Sequence, residues 1–373
     1  MKWGLVVVLV MWASLTTIWS QQPVRIGLFE GNLPTSVELT ALSGAFEWVD
    51  AQGQVIHEMG LKSALSLANG RLNLGEGERD YVHLRPTLPQ SRVQIRAPGK
   101  YPTVHTGRLH FLVESGGIRC VLEAELETYL QGVLSAEAGK GHHPEYYRAQ
   151  AVVSRTYTIQ AMGRHRMQGF DVCDAVHCQA YHGLGTVNDT LCQAVESTAG
   201  TLLVDRRGRP ITAAFHSNCG GQTQGAENVW QRPVEYLVGV PDTFCLAMPH
   251  AQWTQSVPSE AWRDWLDERR AGSSERTTFL PNERFDALPD SGARIRAIEA
   301  RSAFGLQSSY FVAVDDGREV RFMGQGFGHG VGLCQEGAMQ RALRGATYDR
   351  ILHHYYTGVR LTSLDALGLF QRD

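Results

Sequence analysis

Gly326-Phe327-Gly328-His329-Gly330-Val331-Gly332-Leu333-Cys334-Gln335-Glu336-Gly337-Ala338 continues a row of glycines that takes every second position from Gly324 to Gly332. Glycine gives a strand nothing to pack and costs it backbone entropy. Two readings of the row follow. Either something bulky must approach the backbone closely, with His329 pointing from a bare surface, or the run is a glycine-rich turn with a structural histidine. A dinucleotide fingerprint of the form Gly-x-Gly-x-x-Gly is absent, because His329 stands three residues after Gly326.

On the C-terminal side of the run, 335–345 and 348–356 read as two short helices. On its N-terminal side, 253–270 reads as a helix with a partial stripe of Trp262, Trp265 and Leu266. The polar stretch 271–290 reads as a loop or the edge of a small lobe. Strands are expected from Thr201 to Leu237, Ile211-Thr212-Ala213-Ala214-Phe215 among them. Pro144 suits a first helical turn, and Ala149, Val152, Val153, Thr156 and Ile159 follow at helical spacing, so 144–162 is expected as a helix buried on that face. Ahead of it, 123–134 is helical or mixed. From Val24 to about Val121 short segments alternate with period two, Ser36-Val37-Glu38-Leu39-Thr40 and Val93-Gln94-Ile95-Arg96 among them, broken by Gly, Pro and Asn clusters.

The 373 residues are enough for two or three domains, and 43% hydrophobic against 20% charged residues supports a full core. A formal net charge of -3 gives no reason to expect nucleic acid or an anionic membrane surface as partner. Residues 1–20 read as a secretory signal peptide: Lys2, an apolar run from Trp3 to Trp19, then Ser20 before Gln21-Gln22. The alternative is a retained N-terminal anchor, although the run is marginal for a span of about 20 apolar residues. Both readings place the body outside the cytoplasm, exported to the periplasm or cell envelope. Seven cysteines are compatible with an oxidising compartment, and their odd number leaves a thiol over or a metal-bound set.

Among the carboxylates Glu137 stands out. It sits among small residues before the glycine-bracketed loop Gly139-Lys140-Gly141-His142-His143, where partial desolvation would raise its pKa and suit a general acid. The plain alternative is a solvated glutamate. No His-Glu-x-x-His motif and no pair of Cys-x-x-Cys clips occurs. In Cys173-Asp174-Ala175-Val176-His177-Cys178 two thiols and an imidazole fall within a short span. They are read either as disulfide partners of an exported protein or as zinc ligands joined by His165 or another residue. His216-Ser217-Asn218-Cys219-Gly220-Gly221 is a second polar turn that could expose a thiol, without an adjacent acid–base partner. Ser135, Ser154 and Ser217 lack a Gly-x-Ser-x-Gly elbow. Glu137 and His329 remain the best pair.

Taken together and in order, several blocks resemble the SpoIID/LytB family, stage II sporulation protein D and its relatives. They are Leu134-Ser135-Ala136-Glu137-Ala138, then Ala149-Gln150-Ala151 running into Arg155-Thr156-Tyr157, and Ser217-Asn218-Cys219-Gly220-Gly221. Gly328-His329-Gly330-Val331-Gly332 with Gln335 and Gly337-Ala338, and His354-Tyr355-Tyr356-Thr357-Gly358, complete the series. The agreement runs from about residue 121 to 362. The chain departs from the family at Ala138, which replaces the usual methionine after the glutamate, and in the loop before Pro144.

The resemblance implies a peptidoglycan lytic transglycosylase acting on glycan strands, with Glu137 as catalytic acid/base. It further implies that Gly328 and Gly330 line a glycan groove, where His329 and Gln335 hydrogen-bond the sugar, with Ser217 alongside. Arg155 and Tyr157 are expected on a helix beside the groove, as substrate contacts or as packing around Glu137. No cofactor is required; zinc would sit at Cys173, His177 and Cys178. A non-catalytic glycan-binding enhancer of a cell-wall amidase is the alternative, and a zinc-dependent amide hydrolase a third reading. The expected architecture is α+β: curved antiparallel sheets with a few helices forming the groove. Residues 21–120 would be a β-rich N-terminal region and 121–373 the catalytic domain, with the smaller lobe at about 246–320.

Overall fold

The period-two segments of the N-terminal third fold into two sheets in the computed structural model, which describes residues 23–75, 77–269, 277–280, 287–288 and 295–368. The segment read as a signal peptide lies outside those residues. One sheet orders its strands as Val172–Cys173, Pro23–Leu28, Gly117–Glu125, Arg108–Glu114, Tyr81–Pro86, Phe46–Val49 and Val55–Glu58. The other is built around Ser36–Ser43, flanked by Arg92–Arg96 and Lys62–Ala68. Nearly all pairings are antiparallel; Pro23–Leu28 with Val172–Cys173 is a parallel exception. Alternation is what puts Val37 and Leu39, Val82 and Leu84, and Val93 and Ile95 into one shared core. Strand Gly117–Glu125 runs unbroken through residue 120 and leads directly into a helix.

That helix, α1 (Leu126–Glu137), is followed by α2 (Pro144–Ala161) and α3 (Asp189–Ser197). The expected one-faced burial of α2 is too modest. Tyr146, Tyr147 and every residue from Ala149 to Thr156 are buried, because α1, α3, strand Thr201–Val204 and helices Gln335–Leu343 and Tyr348–Tyr355 surround it. Its polar residues are accommodated by local bonds. Thr156 and Thr158 hydroxyls donate to the carbonyls of Val152 and Ser154 four residues back, and Gln179 donates to the Thr158 hydroxyl. Proline opens α2 and the His143 ring caps it by accepting from the Glu145 N–H.

Two expectations are corrected. Residues 252–258 form a strand, not the start of a helix: their burial alternates, and they pair with Glu319–Gln325. The helix begins only after Pro258, as Ser259–Asp267. Residues 211–214 are not a strand either, since the Thr212 N–H goes to the Tyr236 hydroxyl and the Ala214 N–H to the Thr212 carbonyl. A second hydrophobic cluster, separate from the main core, gathers Trp253, Trp262, Trp265, Phe279, Phe311 and Phe322 around the sheet of Gln252–Pro258, Glu319–Gln325 and Phe311–Asp315. The fold is therefore mixed α+β with mostly antiparallel sheets, as the sequence predicts. Among the described residues no helix is long and apolar enough to cross a membrane.

Candidate active site

Glu137 is the last residue of α1, half-buried where that helix runs into the loop before α2. Its Oε1 accepts a 2.6 Å hydrogen bond from the Ala180 N–H. Burial raises the carboxyl above its ordinary value, against the opposing pull of that N–H and of His182. The net result is a carboxyl that holds a proton more readily than a solvated one, with one oxygen fixed by a backbone N–H. The Glu137 carbonyl accepts from the Gln335 side-chain amide at 3.1 Å, and the same amide lies 3.5 Å from Gln150 Oε1. Gln335 opens the helix Gln335–Leu343, so the end of the glycine run abuts the end of α1.

The glycine run is not a strand with a bare face. Gly326, Gly328, Gly330 and Gly332 have φ of 76, 107, 81 and 74°, the left-handed region that side chains disfavour. What approaches the backbone is the chain itself. A Cβ on Gly332 would lie 2.1 Å from the Ala214 carbonyl oxygen, and one on Gly326 would lie 2.6 Å from that of Asn218. Gly324 is overlain by the Trp253 indole, 2.1 Å from where a Cβ would be. The run threads between residues 214–224 and the second cluster, and short parallel pairing of Phe215–His216 with Leu333–Cys334 fixes it there.

His329 accepts the Val331 N–H at Nδ1, 3.0 Å away, and packs against the rings of His216 and Trp230. The bond to Glu137 is made by Gln335, not by His329. Ser217 lies beside Gln335 in the chain path, its carbonyl accepting from the Glu336 N–H. Arg155 does not line a groove: it is wholly buried, with Nε and Nη2 on the two oxygens of Glu127 at 2.9 and 2.6 Å. Tyr157 is directed to Arg164, whose guanidinium donates to its hydroxyl, and to the His177 carbonyl. It therefore sits on the cysteine loop, away from the Gln335–Glu137 contact. Cys219 is buried as well, so the polar turn does not expose its thiol.

His165, Cys173, His177 and Cys178 converge, their donor atoms all within 4.8 Å of one another. Cys178 Sγ is 3.4 Å from His165 Nε2 and 3.7 Å from His177 Nδ1, while His165 Nδ1 is held by Gln168 Oε1 at 2.6 Å. Two thiols, two imidazoles and an outer-shell partner for the remote ring nitrogen suit a tetrahedral zinc ion. Sequence reading named the three that lie close in the chain and offered His165 as a further ligand; the turn at Arg166–Gln168 brings its ring to them. It missed Ala180 and His182, which act on Glu137 only because the loop after Cys178 folds back over α1. Two clefts of roughly 550 and 510 Å³ lie near the start of α1, lined by Thr106, Glu125 and Thr128 among others, and Glu137 lines neither.

The family model for the Stage II sporulation protein SpoIID matches residues 114–204, from the strand before α1 to the one after α3. The chain is 27% identical over 309 residues to Stage II sporulation protein D of Bacillus subtilis (strain 168), covering 78% of this chain and 87% of that one. It is 30% identical over 273 residues to an uncharacterized protein of Brachyspira hyodysenteriae, covering 70% and 73%. It is 28% identical over 294 residues to the Amidase enhancer of Bacillus subtilis (strain 168), covering 63% of this chain and 40% of the enhancer.

Proposed function

Because the chain belongs to the SpoIID/LytB family, we propose that it is an exported, cell-wall-directed lytic transglycosylase that cleaves peptidoglycan glycan strands with Glu137 as general acid/base. The observation that carries this reading is the state of Glu137: a half-buried carboxyl, raised by desolvation, with one oxygen pinned by the Ala180 N–H.

In the first half of the reaction, protonated Glu137 donates to the glycosidic oxygen between N-acetylmuramic acid and N-acetylglucosamine, and the C1–O bond breaks. In the second, the resulting carboxylate takes the proton of the muramic C6 hydroxyl while that oxygen bonds to C1, closing a 1,6-anhydro ring. The proton lost by Glu137 is regained, and no water is consumed. A single carboxylate therefore suffices, whereas glycosidases that activate water or form a covalent intermediate need two. Attack within one sugar also removes much of the entropic barrier, up to roughly 7–11 kcal/mol for ideal orientation. Gln335 is a positioning residue: its amide holds the Glu137 carbonyl and thereby the end of α1. Zinc, when bound at His165, Cys173, His177 and Cys178, would supply a structural crosslink. Those residues hold the loop that delivers the Ala180 N–H to Glu137.

Glycan strands, with and without stem peptides, incubated with wild type and with Glu137→Gln and analysed by mass spectrometry, test the reading. Anhydromuramic ends are expected from the wild type alone. Similarity to the Amidase enhancer favours a second reading, in which the chain binds glycan and acts on a partner amidase. Glycan left intact but retained by both proteins would replace the first reading with the second.

A further inference from the structure

Three of the five remaining cysteines meet at a place the proposed chemistry does not use. Cys219, Cys245 and Cys334 are fully buried together with Asp242, and one donor atom from each lies within 4.8 Å of all the others. The four come from three stretches of chain: the turn after Phe215–His216, the continuous segment of strand Pro241–Asp242 and the short 3-10 helix Thr243–Ala247, and the end of strand Leu333–Cys334, where Cys334 caps helix Gln335–Leu343. Buried thiols by themselves are small apolar groups. The cost of burying the Asp242 carboxylate is already offset by Arg341 and Tyr355; what it adds to the three sulfurs is a fourth donor atom, which completes a tetrahedral set.

We propose that Cys219, Cys245, Cys334 and Asp242 form a second, structural zinc site. Zinc–sulfur bonds of about 2.3 Å put tetrahedral ligand atoms roughly 3.8 Å apart. Cys219 Sγ is 3.4 Å from Cys245 Sγ and 3.8 Å from Asp242 Oδ2. The surroundings have the character of an outer shell. The Cys334 sulfur accepts from the backbone N–H groups of Cys219 and Gly337, at 3.3 and 3.4 Å. Asp242 accepts from Arg341 on one oxygen and from the Tyr355 hydroxyl on the other, at 3.1 and 2.6 Å. Three thiolates, a carboxylate, zinc and Arg341 sum to a formal charge of -1, next to the N-terminus of the helix that Cys334 caps. Gly337 makes the approach feasible, because a Cβ there would lie 1.9 Å from Asp242 Oδ2.

The ion would tie the end of the glycine run to the Cys219 turn and set Gln335, the next residue after Cys334, against Glu137. The site stands whether or not the chain cleaves glycan. Zinc is to be counted by elemental mass spectrometry on the full chain, in wild type and in a Cys173→Ser, Cys178→Ser background, each with and without Cys334→Ser. Loss of one zinc equivalent on adding Cys334→Ser is expected in both backgrounds. Should Cys334→Ser fail to fold, cobalt(II) replaces it as the readout in the Cys173→Ser, Cys178→Ser protein. Sulfur-to-cobalt charge-transfer absorption at three-thiolate intensity supports the site, and its absence overturns it. Alkylation under denaturing, non-reducing conditions adds a third readout. All three thiols free in the zinc-bearing protein is the expected result; a Cys219–Cys245 disulfide, or free thiols with no zinc, refutes the site.

Discussion

Replacing Arg155 by methionine separates a substrate contact from a structural one. The guanidinium is wholly buried and makes two charged bonds to Glu127, at 2.9 and 2.6 Å, besides bonds to the carbonyls of Thr201 and Val195. Methionine fills much of the volume but leaves the Glu127 carboxylate with the Gly200 N–H as its remaining described partner. Removing one member of a buried pair costs about 3–5 kcal/mol, chiefly because the other charge stays behind. Set against a total stability of about 5–15 kcal/mol, this is a severe loss. Arg155→Lys keeps the charge but not the two-pronged geometry and should cost less, about 1–3 kcal/mol. Adding Glu127→Gln to Arg155→Met removes the stranded charge and should recover part of the loss. Urea unfolding followed by circular dichroism measures all four proteins, and glycan binding per folded molecule should be unchanged throughout. A loss below about 1 kcal/mol in Arg155→Met, accompanied by lost glycan binding, would refute the reasoning and return Arg155 to the groove.

Two further outcomes concern Glu137 and the glycine run. Because burial raises the Glu137 carboxyl, its protonated form is the one the fold accommodates better. Its contribution to stability is therefore complete below its ordinary value of 4.5 and is lost as pH rises through the higher folded value. Glu137→Gln should accordingly match wild type in Tm in acid and exceed it at neutral pH; an advantage confined to acid would contradict the raised carboxyl. Gly332→Ala places a methyl 2.1 Å from the Ala214 carbonyl at φ 74° and should cost about 2–5 kcal/mol. Gly345→Ala, at φ 86° with nothing within 4 Å, should cost only about 1–2 kcal/mol, and equal Tm losses for the two would show that crowding is not the cause.

What could be read from the chain was what local pattern encodes. Period-two segments such as Val93–Ile95 became strands and Pro144 opened a helix, because alternation and capping act over a few residues. Where a partner lies far away in sequence, the resemblance leaves the role of a residue open. Arg155 is expected either as a substrate contact or as packing, and its burial on Glu127 agrees with packing, but that partner is placed by the contact of α1 with α2, which no local pattern encodes. Cys219 and Cys334 of one cluster are 115 residues apart, and the parallel pairing of Phe215–His216 with Leu333–Cys334 brings them together, while pairing of Gly221 with Asp242 brings in the stretch that carries Cys245. The glycine row shows the ambiguity most sharply. Close approach to backbone is a genuine requirement there, but the same sequence signal arises whether a sugar or the chain's own Ala214 and Asn218 does the approaching. The positive φ values and the missing Cβ clearances decide it for Gly326 and Gly332 in favour of the chain. What those glycines secure is the position of Gln335, and through its bond to the Glu137 carbonyl they bear on the end of α1.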